Sequence, residues 1–235
     1  MIDLNNITEK QLCSMIDHTL LKADATDKDF RLLCDQAKQY GFAMVAINSY
    51  PVKLCKEFLK DTDIHVGAAI SFPLGSMTID SKIAETSNAI KDGADEIDYV
   101  VNISRVKQHD YEYIKDEMKQ LVELCRNNNT TIKVIFENCY LNNEEIKQLC
   151  MIANEVKPDY IKTSTGFGIS GAKLEDVRLM KQYIDDDIKI KAAGGIRDWP
   201  TCKKMIEAGA SRIGTSSSIR IVEEFIKDNN GNIQP

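Results

Sequence analysis

The sequence of 235 residues contains no block of about five or more like charges, and its formal net charge is -6. A chain without a broad cationic surface has little electrostatic attraction for nucleic acid or for an acidic membrane. We therefore expect neither a nucleic-acid partner nor a membrane partner.

Cysteine and histidine are too scattered to indicate a disulfide framework or a metal site. The seven cysteines are odd in number, widely spaced and without a Cys-x-x-Cys pair, which is typical of free thiols in a reducing compartment. The three histidines are isolated from one another and form no ligand motif with the cysteines. We expect no bound metal.

Long apolar runs and linker segments are also missing. No apolar stretch approaches about 18 residues, and the N-terminus has neither the basic start nor the apolar region of a signal peptide. We expect a soluble, cytoplasmic protein. No Pro-rich or Ser-rich segment divides the chain, so we expect residues 1–235 to form a single domain.

The sequence does contain an alternation of short apolar runs and longer amphipathic segments. Apolar spacing predicts helices at 77–91, 111–125 and 198–208, and the last of these has Asp198 as N-cap and Pro200 in its first turn. The predicted strands are 14–19, 43–48, 64–70, 95–101, 131–136, 159–162, 188–193 and 211–214.

Eight such strand-helix units predict an α/β fold, a single (β/α)8 TIM barrel with a short N-terminal helix. An open, doubly wound sheet is the alternative. The Gly-x-Gly-x-x-Gly turn of its dinucleotide-binding version is absent after the first strand.

Charged residues occupy four strands at positions that strand alternation turns toward the barrel interior. This inward set consists of Asp98, Lys133, Glu137, Lys162, Lys189 and Lys191. An ion-pair network filling the barrel is the purely structural explanation. Counting every member except Lys189 gives three cations and two anions, so one ammonium group has no partner. An unpaired buried ammonium group is costly. We therefore expect a bound anion or a deprotonated lysine.

Lys162 and Lys191 are the lysines placed for chemistry, because TSTGFG and AAGG follow them and put both at the C-terminal mouth. Two ammonium groups about 6 Å apart at an effective dielectric of about 20 repel by roughly 3 kcal/mol, which lowers a pKa by about 2. With desolvation, this predicts a neutral Lys162 that attacks a carbonyl. Asp98 would relay protons, and Lys133 would keep Asp98 ionised.

Glycine-rich turns follow three neighbouring strands and offer backbone N–H groups at the same mouth. They are TGFG, AGGIR and GTSS. Phosphate sites of TIM barrels are commonly built from such loops. The turns and the positive interior together predict a phosphorylated aldehyde or sugar as the substrate.

Motifs along nearly the whole chain resemble those of the deoxyribose-phosphate aldolases, a family of class I, Schiff-base aldolases on the TIM barrel. They are IDHTLLKADAT (16–26), SFPLG (71–75), DEIDYVVN (95–102), KVIFEN (133–138), YIKTSTGFG (160–168), IKAAGGIR (190–197) and RIGTSS (212–217).

The resemblance implies reversible cleavage of 2-deoxy-D-ribose 5-phosphate to D-glyceraldehyde 3-phosphate and acetaldehyde, without metal or organic cofactor. It implies a Schiff base on Lys162, whose pKa Lys191 tunes, with Asp98 as the proton relay. Family members are often dimers, so a homodimer is an expectation by analogy. The implied phosphate-binding residues are Gly166, Gly194, Gly195, Ser216 and Ser217.

The chain departs from the family pattern at several positions. Ala46 and Ser49 stand where many members have cysteine and proline, and Asn138 replaces a usual threonine. Ser218 replaces a glycine, a change expected to alter phosphate affinity. His18 is expected to be a hydrogen-bonded structural residue.

Two other functions stay open at this stage. One is a different lysine-dependent phosphosugar enzyme, such as a transaldolase or another aldolase. The other is a non-catalytic phosphosugar-binding barrel, although a binding protein gains nothing from a lysine held neutral.

Overall fold

The computed structural model of the protein describes residues 6–231, and its centre is a closed barrel of eight parallel strands. The strands pair in chain order, and β1 pairs with both β2 and β8. This confirms the predicted TIM barrel and makes the open-sheet alternative wrong. The strands are β1 (Ile16–Thr19), β2 (Met44–Asn48), β3 (His65–Ile70), β4 (Glu96–Val100), β5 (Thr131–Ile135), β6 (Tyr160–Lys162), β7 (Lys189–Ala193) and β8 (Arg212–Thr215).

Helices surround the barrel, and the predicted short N-terminal helix is α1, where Thr8 and Gln11 cap each other reciprocally. Within residues 6–231, no helix has both the length and the apolar character needed to cross a bilayer. The helices are α1 (Glu9–Cys13), α2 (Asp27–Tyr40), α3 (Val52–Phe58), α4 (Ile79–Lys91), α5 (Ile103–Lys107), α6 (Tyr111–Asn127), α7 (Asn143–Val156), α8 (Leu174–Tyr183), α9 (Trp199–Glu207) and α10 (Ser218–Gly231).

The three helices predicted by apolar spacing are α4, α6 and α9, with ends within two residues of the predicted ones. Asp198 caps α9 as predicted, because its Oδ1 accepts a hydrogen bond from the backbone N–H of Thr201 at 2.8 Å. Two short elements were not predicted, α5 and a 3₁₀ turn at Asn138–Tyr140.

The apolar core lies between the barrel and the helices. Ile97, Tyr99 and Val134 are fully buried in it, on the strand faces that alternation assigns to the helices. Residues of opposite parity, such as Asp98 and Lys133, point into the barrel. The barrel interior is therefore separate from the main apolar core.

A buried ion pair outside the barrel fixes the end of β4. Lys82 in α4 contacts Glu117 in α6 at 2.7 Å, and both side chains are inaccessible to solvent. Lys82 donates to the carbonyl oxygen of Val100 at 2.6 Å, and Glu117 accepts from the N–H of Asn102 at 3.1 Å. This pair holds the backbone just beyond the inward-facing residues of β4.

Candidate active site

A cavity of about 260 Å³ opens at the C-terminal ends of the strands, and Asp98, Lys162 and Lys191 line it. Their exposed fractions are 3, 5 and 1 % respectively. The fold thus brings the three predicted catalytic residues together at the predicted end of the barrel.

Asp98 lies among three lysines from three consecutive strands. Its Oδ1 accepts from Nζ of Lys133 at 2.7 Å. Its Oδ2 accepts from Lys162 at 2.8 Å and from Lys191 at 2.6 Å. Strand register produces this arrangement, since Asp98 is level with Lys133 and Lys162 is level with Lys191.

A second layer of charge lies below these groups and is not among the predicted site residues. Asp17 in β1 contacts Lys191 at 2.5 Å and Arg212 in β8 at 2.7 Å. Glu96 in β4 contacts Lys133, and it contacts Arg212 at 3.3 Å. The sequence does contain a signal for Glu96, because this residue lies two positions before Asp98 in β4 and therefore faces the same side of the strand.

We call the residues joined by these contacts the barrel ion cluster. Fully ionised, it contains four cations and three anions, so one positive charge is in excess. Deprotonation of a single lysine removes that excess. The members are Asp17, Glu96, Asp98, Lys133, Lys162, Lys191 and Arg212.

Lys162 is the lysine of this cluster whose pKa is lowered, to about 8. Burial is the largest cause, Asp98 opposes it, and the charge of Lys191 adds to it. The expected repulsion from Lys191 therefore exists, but desolvation outweighs it. An amine with a pKa of about 8 is about one-tenth neutral at pH 7, compared with less than about one-thousandth for an ordinary lysine.

Lys133 and Asp98 are held in their charged forms. Burial lowers the pKa of Lys133, but Asp98 and Glu96 outweigh burial and raise it above the ordinary value. Burial raises the pKa of Asp98, but the three neighbouring lysines hold it well below the ordinary value. This is the ionisation state expected for the two residues from the sequence.

Two charges predicted to face this interior lie elsewhere. Lys189 is exposed at the first position of β7, at the other end of the barrel, and its Nζ lies 5.5 Å from the ring centroid of Tyr160. Glu137 is buried, but it follows β5 with a φ of 58°. Strand alternation ends at such a residue, and the carboxylate of Glu137 turns to Thr165 instead of the lysines.

The glycine-rich turns meet at the cavity, as predicted. Gly166, Gly194 and Gly195 line it, with φ values of 92°, 86° and 76° that other residues rarely adopt. Ser216 also lines the cavity. Ser217 does not line it and donates its backbone N–H to a threonine hydroxyl at 2.9 Å.

Two cations at the rim were missed by the sequence reasoning. Lys22, after β1, and Arg197, after β7, are exposed and line the cavity with the glycine-rich turns. Their signal lay in the LLKADAT and GGIR segments, where each basic residue lies within three residues of the end of a strand or of a glycine turn.

His18 has the structural role expected of it. Its Nδ1 lies 3.0 Å from Oγ of Ser218, its Nε2 lies 2.9 Å from Oε1 of Gln36, and burial lowers its pKa. Ser218 is fully buried and also donates to the carbonyl oxygen of Thr215. The hydroxyl that replaces the family's glycine is therefore committed to internal contacts.

In sequence, this chain is similar to known aldolases. Residues 12–224 match the model of the DeoC/LacD family aldolase. The chain is 58 % identical over 209 residues to a deoxyribose-phosphate aldolase of Lactobacillus acidophilus, covering 89 % of this chain and 88 % of that one.

Solved structures give the same result. The aldolase QR15 has a TM-score of 0.88 and 39 % identity, covering 100 % of both chains. The deoxyribose phosphate aldolase of Aeropyrum pernix, described as a unique tetrameric structure, has a TM-score of 0.87 and 28 % identity. It covers 93 % of this chain and 92 % of that one.

Proposed function

This chain belongs to the DeoC/LacD aldolase family, and on that premise we propose that it cleaves 2-deoxy-D-ribose 5-phosphate reversibly to D-glyceraldehyde 3-phosphate and acetaldehyde. The observation that carries the proposal is the buried Lys162 at the floor of the cavity, with a pKa lowered to about 8. A neutral amine in that position attacks the aldehyde carbon of the substrate.

Lys162 acts as the nucleophile. Its nitrogen adds to C1 of the open-chain sugar, and loss of water gives the imine. The bond between C2 and C3 then breaks as the C3 hydroxyl gives up its proton, which releases D-glyceraldehyde 3-phosphate and leaves an enamine. Protonation of C2 and addition of water release acetaldehyde and restore the amine.

Asp98 and Lys191 move the protons of this sequence. Asp98 contacts both lysines through Oδ2, so it can accept a proton and return it without leaving the site. Lys191 lies beside the developing imine on the same Asp98 oxygen, and Lys133 keeps Asp98 ionised from the other oxygen. Water can carry the proton between Asp98 and the substrate.

The phosphate group lies on the glycine-rich turns. Gly166, Gly194 and Gly195 present backbone at the cavity, and Ser216 and Ser217 precede the N-terminus of α10, where backbone N–H groups attract anions. The exposed cations at the cavity rim add positive charge to this subsite.

Reductive trapping tests the proposal. With acetaldehyde and borohydride, the wild-type protein should gain one ethyl adduct, located on Lys162 by peptide mapping, and Lys162→Leu should gain none. Lys189→Leu is the matched control, because Lys189 is a strand lysine of the same barrel that lies outside the cavity. Turnover should survive EDTA, because no metal is required. An adduct on another lysine would contradict the assignment.

Donor selection separates this activity from the alternatives. Acetaldehyde, pyruvate and dihydroxyacetone phosphate should be compared as donors toward D-glyceraldehyde 3-phosphate. Use of acetaldehyde alone supports the proposal, whereas preference for another donor favours a different aldolase or a transaldolase. Substrate binding without turnover would favour a non-catalytic barrel.

We also propose that the protein works in the cytoplasm as a homodimer. All seven cysteines are free thiols, as a reducing compartment requires. The tetrameric structure of the relative from Aeropyrum pernix supports self-association of this fold. Light scattering during size-exclusion chromatography measures the oligomeric state, and a monomeric mass would contradict the dimer.

A further inference from the structure

The loop between β6 and α8 contributes Thr165, Gly166 and Phe167 to the cavity wall. A buried carboxylate, that of Glu137, supports this loop from behind. Glu137 is 1 % exposed, does not line the cavity and has no part in the chemistry proposed above.

Glu137 accepts every donor that Thr165 offers. The backbone N–H of Thr165 lies 3.2 and 3.3 Å from the two carboxylate oxygens, and its hydroxyl contacts Oε2. The hydroxyl oxygen in turn accepts from the backbone N–H of Phe167 at 3.0 Å. Because a carboxylate accepts and does not donate, the hydroxyl proton points to Glu137 and the hydroxyl oxygen is left to accept from Phe167. The result is a directed chain of donors that ends on the carboxylate.

The backbone of Glu137 is held in an unfavourable conformation to make these contacts. Its φ of 58° lies in the left-handed region, which costs a residue with a side chain about 1 kcal/mol or more. Hydrogen bonds fix the residues before and after Glu137. The N–H of Phe136 donates to the carbonyl oxygen of Lys162, and the N–H of Asn138 donates to that of Thr163, both at 2.9 Å. Strain that neighbouring bonds enforce in this way is common beside functional sites.

The supported loop is in backbone contact with the next one. A Cβ on Gly171 would lie 2.1 Å from the carbonyl oxygen of Gly194, and the N–H of Ala172 donates to that oxygen at 3.0 Å. Gly166 also packs on Gly194, since a Cβ on Gly194 would lie 3.2 Å from its Cα. The position of one loop therefore sets the position of the other.

We propose that Glu137 is a positioning residue that fixes the β6–α8 loop, and through it Gly194, in the shape that binds the substrate phosphate. This inference rests on the proposed function and adds a residue that acts on phosphate binding without touching substrate. A defect should therefore appear in recognition of the phosphate and not in chemistry at Lys162.

The test compares two substrates that differ only in the phosphate, 2-deoxy-D-ribose 5-phosphate and 2-deoxy-D-ribose. In Glu137→Gln the amide places N–H donors against the donors of Thr165, and loss of one charged acceptor corresponds to about tenfold in binding. We expect KM for the phosphorylated sugar to rise about tenfold, with kcat and the kcat/KM of the unphosphorylated sugar within about twofold of wild type. Acetaldehyde trapping on Lys162 should be unchanged.

Glu144→Gln is the matched control. Glu144 is an exposed glutamate of α7 that pairs with Lys147 and lies outside the cavity lining. Its KM values should stay at wild-type levels. Should Glu137→Gln fail to fold, Thr165→Val removes the hydroxyl from the same chain of donors and is expected to raise KM for the phosphorylated sugar selectively.

The outcomes separate this inference from the proposed function. A wild-type protein that neither traps acetaldehyde nor turns over either sugar would remove the proposed function. A wild-type enzyme whose Glu137→Gln variant loses activity on both sugars equally, or on neither, would overturn the positioning role and leave the aldolase activity standing.

Discussion

Lys162 and Lys191 donate to the same oxygen atom, Oδ2 of Asp98, at 2.8 and 2.6 Å. The two ammonium groups therefore compete for one negative charge in a site that excludes most water. Release of a proton from Lys162 ends this competition and leaves the barrel ion cluster electrically balanced.

Removal of the Lys191 charge should raise the pKa of Lys162. In Lys191→Met the repulsion disappears and Asp98 pairs with Lys162 alone, so the pKa should move up by about 1 from its value of about 8. The pH dependence of acetaldehyde trapping reports the midpoint. Lys189→Met, at the other end of β7, should leave the midpoint unchanged, and an unshifted midpoint in Lys191→Met would refute the coupling.

Asp98→Asn should separate imine formation from turnover. Asp98 raises the pKa of Lys162, so its loss should move the trapping midpoint below about 8. Turnover should fall by about 10²–10⁴ because the proton relay is gone. The buried lysines also lose a partner, which should lower the free energy of unfolding by roughly 3–5 kcal/mol in urea titrations. Full turnover in this variant would contradict the proposed role.

His65 lies at the opposite end of the barrel from the cavity and should make the stability of the protein depend on pH. Its Nδ1 lies 2.7 Å from Oε1 of Glu96, and this hydrogen bond raises the pKa of His65. A histidine whose pKa is higher in the folded than in the unfolded protein stabilises the folded state. This stabilisation is complete below about pH 6.5 and is lost as the pH rises through the pKa of the folded protein.

His65→Gln should therefore be less stable than wild type at about pH 5.5 and equally stable at about pH 9. Urea titrations at the two pH values measure the difference. His109→Gln is the control, because Nδ1 of His109 contacts a tyrosine hydroxyl at 3.0 Å, whereas Nδ1 of His65 contacts a carboxylate. A stability difference that is the same at both pH values would show that the ion pair does not contribute.

Unsaturated aldehydes should inactivate the protein only slowly. Six of the seven thiols are buried, and Cys139 is half-buried with a pKa raised chiefly by burial. The thiolate form of Cys139 is therefore scarce, and Ala46 brings no thiol to the cavity lining. Mass spectrometry after crotonaldehyde treatment should find at most one modified thiol, absent in Cys139→Ala. Rapid labelling of any buried cysteine would disprove the expectation.

The rim cations should contribute to phosphate recognition. Lys22→Met and Arg197→Met are each expected to raise KM for 2-deoxy-D-ribose 5-phosphate about tenfold, with little change for 2-deoxy-D-ribose. Lys28→Met is a matched control, because Lys28 is exposed in α2 and lies outside the cavity lining. Equal effects of all three substitutions would indicate a general electrostatic influence instead of a binding contact.

The periodicity of the sequence predicts the barrel and the central lysines well, because parallel strands impose a strict alternation of inward and outward side chains. Asp98, Lys133, Lys162 and Lys191 obey that alternation and meet as predicted. Alternation does not show how far along the barrel axis a residue lies, however. Lys189 faces the same side of β7 as Lys191, but it is the first residue of the strand, at the end opposite the cavity, and is exposed there.

Other parts of the site depend on information that a local pattern does not contain. Glu137 leaves the strand geometry at a single left-handed residue, and no glycine marks that position. Asp17 and Arg212 come from strands almost two hundred residues apart, and only the closure of the barrel shows that they are neighbours. For this reason the predicted set of compensating charges was incomplete: it counted Glu137 as an anion of the interior, where the structure has Asp17 and Glu96 instead and adds Arg212.

That contact between Asp17 and Arg212 links the first strand of the chain to the last. Burial is the largest cause of the lowered pKa of Lys162, and the barrel that buries this lysine is closed only where β8 pairs with β1. The low basicity of Lys162 is consequently a property of the complete ring of strands.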